Sequence, residues 1–169
     1  DLAADELHMQ LSCTELIRSG KELRMRIYER PRYSIEAYAS SSCAENSAAN
    51  GDTHMVFTDG AGMGYVVLSD GMGTGKNASF QSRMVAGLFR RLVSCGVNIG
   101  SAVKMINSFM VTKSSDESFA TLDALSIDLD ECRLTVMKSG AAATLVRHCG
   151  NVMKITAPTF PIGIYEHSE

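Results

Sequence analysis

Three aspartates stand where their neighbours make a carboxylate costly. Asp70 ends the apolar run Val66-Val67-Leu68-Ser69 and opens the glycine-rich stretch Gly71-Met72-Gly73-Thr74-Gly75-Lys76. An ionised carboxylate buried there is expensive unless a cation or a hydrogen-bond donor meets it. Asp123 lies within Thr121-Leu122-Asp123-Ala124-Leu125-Ser126-Ile127, a run of strand formers in which aspartate is disfavoured. Asp52 follows Gly51 just ahead of another β-rich run. Hard divalent cations such as magnesium and manganese take oxygen ligands, and an Asp-Gly pair offers both a carboxylate and an approachable carbonyl. Each aspartate also has a plain structural role: Asp70 capping the following turn, Asp123 on an edge strand facing water, Asp52 in a loop. Spacing alone leaves both readings open.

The glycines sharpen the question, because six of the fourteen lie between Gly60 and Gly75. Such density is a backbone requirement. A phosphate-binding P-loop is one reading of Gly71 to Lys76, but three residues separate Gly71 from the Gly-Lys pair where four are needed. Asn77 also stands where a Ser or Thr would hold magnesium. The dinucleotide fingerprint fails too, since Gly71-x-Gly73 is followed by Gly75 instead of a glycine at 76. The five cysteines, Cys13, Cys43, Cys95, Cys132 and Cys149, form no CxxC pair and no Cys-x5-Arg loop, and read as reduced packing residues. His54, near Asp52, is a candidate proton donor, though a solvated residue at a strand start is the plainer reading.

These residues need elements to position them. Residues 1–30, with Leu2, Leu7, Leu11, Leu16, Leu23 and Ile27 among charged residues, read as a lead-in helix broken at Gly20 and closed by Pro31. Alternation from Tyr33 to Ala39 predicts a strand, and residues 40–50 a polar loop. The runs 54–58 and 65–69 read as a hairpin around Asp59-Gly60. Residues 77–95 carry Phe80, Met84, Val85, Leu88, Phe89 and Leu92 at helical spacing, Gly96 stops them, and 99–111 repeat the pattern. Four short strands follow, over 121–127, 133–137, 142–146 and 152–155. Strands, a helical pair, then strands with hairpin-length connections define an α+β domain on antiparallel sheet.

Composition narrows the functions. In 169 residues, sixteen Lys and Arg against nineteen Asp and Glu give a formal charge of −3, without the basic excess a general nucleic-acid binder needs. No apolar stretch reaches transmembrane length, and the acidic start is unlike a signal peptide, so a soluble cytoplasmic domain without membrane contact is expected.

Taken in order, Val67-Leu68-Ser69-Asp70-Gly71-Met72-Gly73-Thr74-Gly75, a helix, and Ala120-Thr121-Leu122-Asp123-Ala124-Leu125-Ser126-Ile127-Asp128-Leu129 resemble the stage II sporulation protein E-type phosphatase domains of the metal-dependent PPM protein phosphatase family. Gly51-Asp52-Thr53, Lys138-Ser139-Gly140-Ala141-Ala142 and Phe160-Pro161-Ile162-Gly163-Ile164 extend the likeness over residues 33–165. The resemblance implies a PPM-type antiparallel β-sandwich flanked by helices, occupying residues 31–169, with two Mn2+ or Mg2+ ions. On that basis Asp70 bridges the metals, the Gly71 carbonyl binds the first, Asp52 acts near the first, and Asp123 helps hold the second. The implied activity is protein serine/threonine phosphatase, by metal-activated water, on a small phosphoprotein of the anti-sigma-factor-antagonist type. The alternative is a non-catalytic PPM-like interaction module. Two departures stand out: no Asp-Gly or Asp-Asn pair follows the Pro-x-Gly segment before Glu169, so the C-terminal strands and last ligand are expected to be missing, and residues 40–50 are less glycine-rich than in relatives. Unpaired sheet edges would favour a homodimer, and a membrane-anchored parent is compatible with the likeness. It also implies that the helical pair, residues 77–112, couples regulation to the metal site.

Overall fold

The computed structural model describes residue 6 and residues 11–43, 49–59, 62–113 and 119–164. Its centre is a four-stranded antiparallel sheet in the order β3-β4-β5-β6, formed by Asp52–Thr58, Met63–Asp70, Leu122–Asp128 and Leu134–Ser139. Two helices, α1 (Gly75–Ser94) and α2 (Ile99–Lys113), connect β4 to β5. Along α1, Ala78, Ser82, Val85, Phe89 and Val93 recur every three or four residues and are all buried. Of these, Val85, Phe89 and Val93 share one core with Tyr65 and Val67 of β4 and Leu122 and Ala124 of β5, with Ala102, Ile106 and Met110 of α2 completing it. Period-2 alternation therefore assigns one sheet face to the helices and leaves Asp52, His54, Val56, Leu68 and Asp70 on the other. Removing the fully buried Phe89 side chain from such a core costs about 3–5 kcal/mol.

Two separate hairpins flank this unit. β7 (Thr144–His148) pairs with β8 (Asn151–Ile155), so the last strands expected from the sequence form their own sheet beyond β6.

The N-terminal expectation is corrected. Where a lead-in helix was expected over 1–30, residues 11–29 form two antiparallel strands, β1 (Leu11–Ser19) and β2 (Glu22–Glu29), turning at Gly20 with φ +60. Of residues 1–10, all but residue 6 lie outside the described residues. The alternation Leu23-Arg24-Met25-Arg26-Ile27 is strand periodicity, and a glycine in the left-handed region between two such runs is a turn. The strand expected from Tyr33 to Ala39 joins no ladder either. Its start is held instead over the β5–β6 turn, where Tyr33 N donates to Leu129 O at 2.9 Å.

Candidate active site at the end of the central sheet

Register, fixed by the hairpin, sets the first feature of the site. Asp52 and Asp70 are direct partners across the β3–β4 ladder, so both carboxylates emerge side by side on the face away from the helices. Their backbone is pinned. Asp70 N donates to Thr121 Oγ1 at 2.9 Å, Thr121 N donates to Asp70 O at 2.8 Å, and Asp52 N donates to Asn50 Oδ1 at 3.0 Å. Partial burial, then the charge of Asp52, then a hydrogen bond between the two carboxyls push Asp70 above the usual carboxylate range. Two acids facing one another hold their second negative charge poorly until a cation joins them.

Gly71 continues the strand and is buried against the first turn of α1. A Cβ at this position would come within 1.9 Å of Ala78 O, so only glycine lets the chain turn from β4 into the helix so tightly. Its amide donates to Gly51 O at 3.2 Å, and it bridges Ala120. The point where a Cβ would stand on Gly51 is 3.5 Å from Gly71 O and 3.7 Å from Asp70 Oδ1. A backbone carbonyl and a carboxylate oxygen thus converge on one small space, a donor pair of the all-oxygen kind that hard divalent cations take.

Asp123 lies on the same sheet face, opposite Leu68 and one diagonal step from Asp70, a separation of about 7–8 Å between backbones. Its environment is different. Directly across the β5–β6 ladder stands Lys138, whose Nζ lies 2.5 Å from Asp123 Oδ2. Lys138 Nζ also donates to Thr144 Oγ1 at 2.7 Å, and Thr144 Oγ1 donates to Asp123 Oδ2 at 2.7 Å. The side chains of Lys138 and Asp123 are 2% and 13% exposed. The other oxygen, Asp123 Oδ1, is buried without a hydrogen-bond partner. One oxygen is committed within the protein, and the other remains for a donor or a cation.

The structure therefore brings Asp52, Asp70 and the Gly71 carbonyl together and sets Asp123 beside them on the same surface. Among the described residues, no three His, Cys, Asp or Glu side chains converge on one point. His54 is exposed on this face, paired across the ladder with Leu68. Reading the sequence for carboxylates passed over Lys138 and Thr144. The signal for Lys138 was available: a lysine within the strand run Leu134-Thr135-Val136-Met137 falls on the Asp123 face by alternation. Cys43, Cys95, Cys132 and Cys149 are exposed and free.

The solved structure of the PP2C phosphatase domain and a fragment of the regulatory domain of the cell fate determinant SpoIIE from Bacillus subtilis superposes with a TM-score of 0.73 at 26% identity, covering 96% of this chain and 49% of that one. The architecture is thus the PP2C phosphatase fold, the same fold that the PPM resemblance implied. Residues 60–169 match the sequence model of stage II sporulation protein E, and the chain belongs to that family. The stage II sporulation protein E of Priestia megaterium is 29% identical over 137 residues, 81% of this chain and 23% of the relative. That of Bacillus subtilis strain 168 is 30% identical over 132 residues, 78% of this chain and 16% of the relative. The chain thus spans less than a quarter of the length of either curated relative. No helix among the described residues is long and apolar enough to cross a membrane.

Proposed function

We propose that this chain, with residues 31–169 as its phosphatase unit, hydrolyses phosphoserine or phosphothreonine on a small regulatory phosphoprotein in a divalent-cation-dependent reaction. The observation that carries the reading is the placement of Asp52, Asp70 and Asp123 on one face of one sheet, with the Gly71 carbonyl beside the first two. Asp52, Asp70 and Gly71 O would hold one magnesium or manganese ion, and Asp70 with the unpartnered Asp123 Oδ1 would reach towards a second. When bound, such ions supply an activated water and neutralise charge on the phosphoryl oxygens. The chain's own part is positional. The Thr121 contacts hold Asp70, the 71–78 packing aims the carbonyl, and Lys138 with Thr144 fixes the rotamer of Asp123 while leaving one oxygen open. A phosphoprotein of the anti-sigma-factor-antagonist type is the substrate that the family likeness suggests.

The test is hydrolysis of a phosphoserine peptide with manganese. Activity should fall by at least about 100-fold in both Asp70→Asn and Asp123→Asn, in line with the loss of one charged group acting on the transition state. One observation favours a second reading, a non-catalytic PPM-like module: Lys138 already neutralises Asp123. Manganese affinity unchanged by Asp123→Asn, with no phosphoester turned over by the parent chain, would support that reading.

A further inference from the structure

Lys138 is the exception among the lysines. Lys21, Lys76, Lys104, Lys113 and Lys154 are exposed, whereas the Lys138 side chain is 2% exposed. An ammonium taken out of water needs matched acceptors. It has two, Asp123 Oδ2 at 2.5 Å and Thr144 Oγ1 at 2.7 Å. Its backbone is anchored from another segment of the chain. Lys138 O accepts from Thr159 Oγ1 at 3.1 Å, that hydroxyl oxygen accepts from Gly140 N at 3.1 Å, and a Cβ on Gly140 would stand 2.5 Å from Pro161 Cγ. The contact with Asp123 is therefore built into the fold.

The order of charges across the sheet gives this contact a consequence. The helix-free face carries Asp52 on β3, Asp70 on β4, Asp123 on β5 and Lys138 on β6, so the ammonium stands on the far side of Asp123 from Asp70. Asp123 Oδ2 meets Lys138, and Asp123 Oδ1 is buried without a hydrogen-bond partner. Any cation that reached Oδ1 would share one carboxylate with Lys138. Two like charges on the two oxygens of one poorly solvated carboxyl oppose each other. Among the described residues neither Asp52 nor Asp70 forms an ion pair, so no such competitor stands at their end of the site.

We infer that Lys138 is a resident competitor for the second cation, a step that rests on the divalent-cation reading above. It holds Asp123 in place, and its charge makes the Asp70–Asp123 position much the weaker of the two. The site then fills in two steps, first at Asp52, Asp70 and the Gly71 carbonyl. Holding and opposing predict different signs when the ammonium is removed. Rotamer freedom regained by a short side chain weakens the second ion by about threefold, whereas relief from a like charge on the same carboxylate strengthens it by at least about tenfold. The charge decides the sign.

The experiment titrates the metal-stripped full chain with manganese chloride in a calorimeter, beside Lys138→Met, which keeps most of the stem and removes the charge. The parent should bind one ion, and a second at least about tenfold more weakly. In Lys138→Met the second step should tighten by at least about tenfold while the first stays unchanged. Combining Lys138→Met with Asp123→Asn should abolish that gain. Manganese should also raise the melting midpoint of Lys138→Met by more than that of the parent, because the added binding step stabilises the folded chain. A role confined to stability would lower the metal-free midpoint and leave the second step where it was. Should Lys138→Met fail to fold without metal, Lys138→Gln, which keeps a hydrogen-bond donor on the side chain, carries the same titration. A second step absent, unchanged or weakened in the charge-free variant overturns the inference, as does a parent whose two steps are equally tight. A parent that binds no manganese at all overturns the divalent-cation reading, and the inference with it.

Discussion

Two acidic positions on one sheet face have opposite electrostatic solutions. At the β3–β4 end, Asp52 and Asp70 face each other with no basic side chain between them, and burial with mutual repulsion pushes Asp70 towards its protonated form. One diagonal step away, Asp123 is matched across the ladder by Lys138 and tied further by Thr144. On the proposed reading, the first arrangement would take an outside cation. The second is largely complete within the chain. On that reading, similar residues in similar strands would answer to different variables, metal concentration in one case and the integrity of an internal network in the other.

The sharpest way to break that contrast is Lys138→Met, which strands a nearly buried carboxylate. We expect a loss of about 3–5 kcal/mol in urea unfolding, the usual cost of removing one partner of a buried pair. Adding Asp123→Asn should restore most of it. Thr144→Val keeps the ion pair and removes only its third member, so about 1–3 kcal/mol should be lost in the same assay. At the other end the sign reverses. Asp70→Asn should raise the melting midpoint in chelator by about 1–2 °C, since it relieves repulsion from Asp52. With manganese added, the parent should melt above the variant, and an unchanged order would remove the contrast.

The smallest effect comes from a carboxylate satisfied chiefly by backbone amides, with the charge of Arg133 a lesser contribution. Asp128 Oδ1 accepts from the amides of Asp130 and Glu131, both at 2.9 Å, and these bonds hold its pKa below the usual value. Its contribution is present above the unfolded carboxyl pKa and is lost as pH falls from that value through the lower folded one. Melting midpoints followed from pH 5 downwards should fall less steeply in Asp128→Asn than in the parent.

Much of this was legible in the chain because local pattern and tertiary role agree. The α1 residues Val85 and Phe89 read at helical spacing and pack in one core, whereas Phe80, read with them, is exposed, and the hairpin around Asp59 sets the register that pairs Asp52 with Asp70. Placing Asp70 and Asp123 at one site came from the family likeness, because the strand runs alone say nothing of which strands pair. The N-terminal hairpin differs from the helix expected there because Leu16, Leu23 and Ile27, seven and four residues apart, also fit a helical spacing, and the decisive alternation of Leu23, Met25 and Ile27 occupies only one short run. Tyr33 to Ala39 alternates without a strand partner, and pairing is a tertiary fact that one segment's pattern does not encode. Lys138 and Thr144 escaped for a related reason. They join Asp123 from different strands, and only the ladder and the turn into β7 bring them together.

Gly71 has a consequence for tolerance to substitution. The gap between its α-carbon and Ala78 O admits a hydrogen and nothing larger. In a survey of all replacements this position would score as inviolable although it contributes no side chain at all. Its neighbour Met72 is exposed and should accept changes freely, while Gly73 meets nothing within 4 Å but has φ +86, which disfavours any side chain on backbone grounds. The boundary between forbidden and permitted would fall between two adjacent residues, and it marks where the strand stops being scaffold and the loop begins.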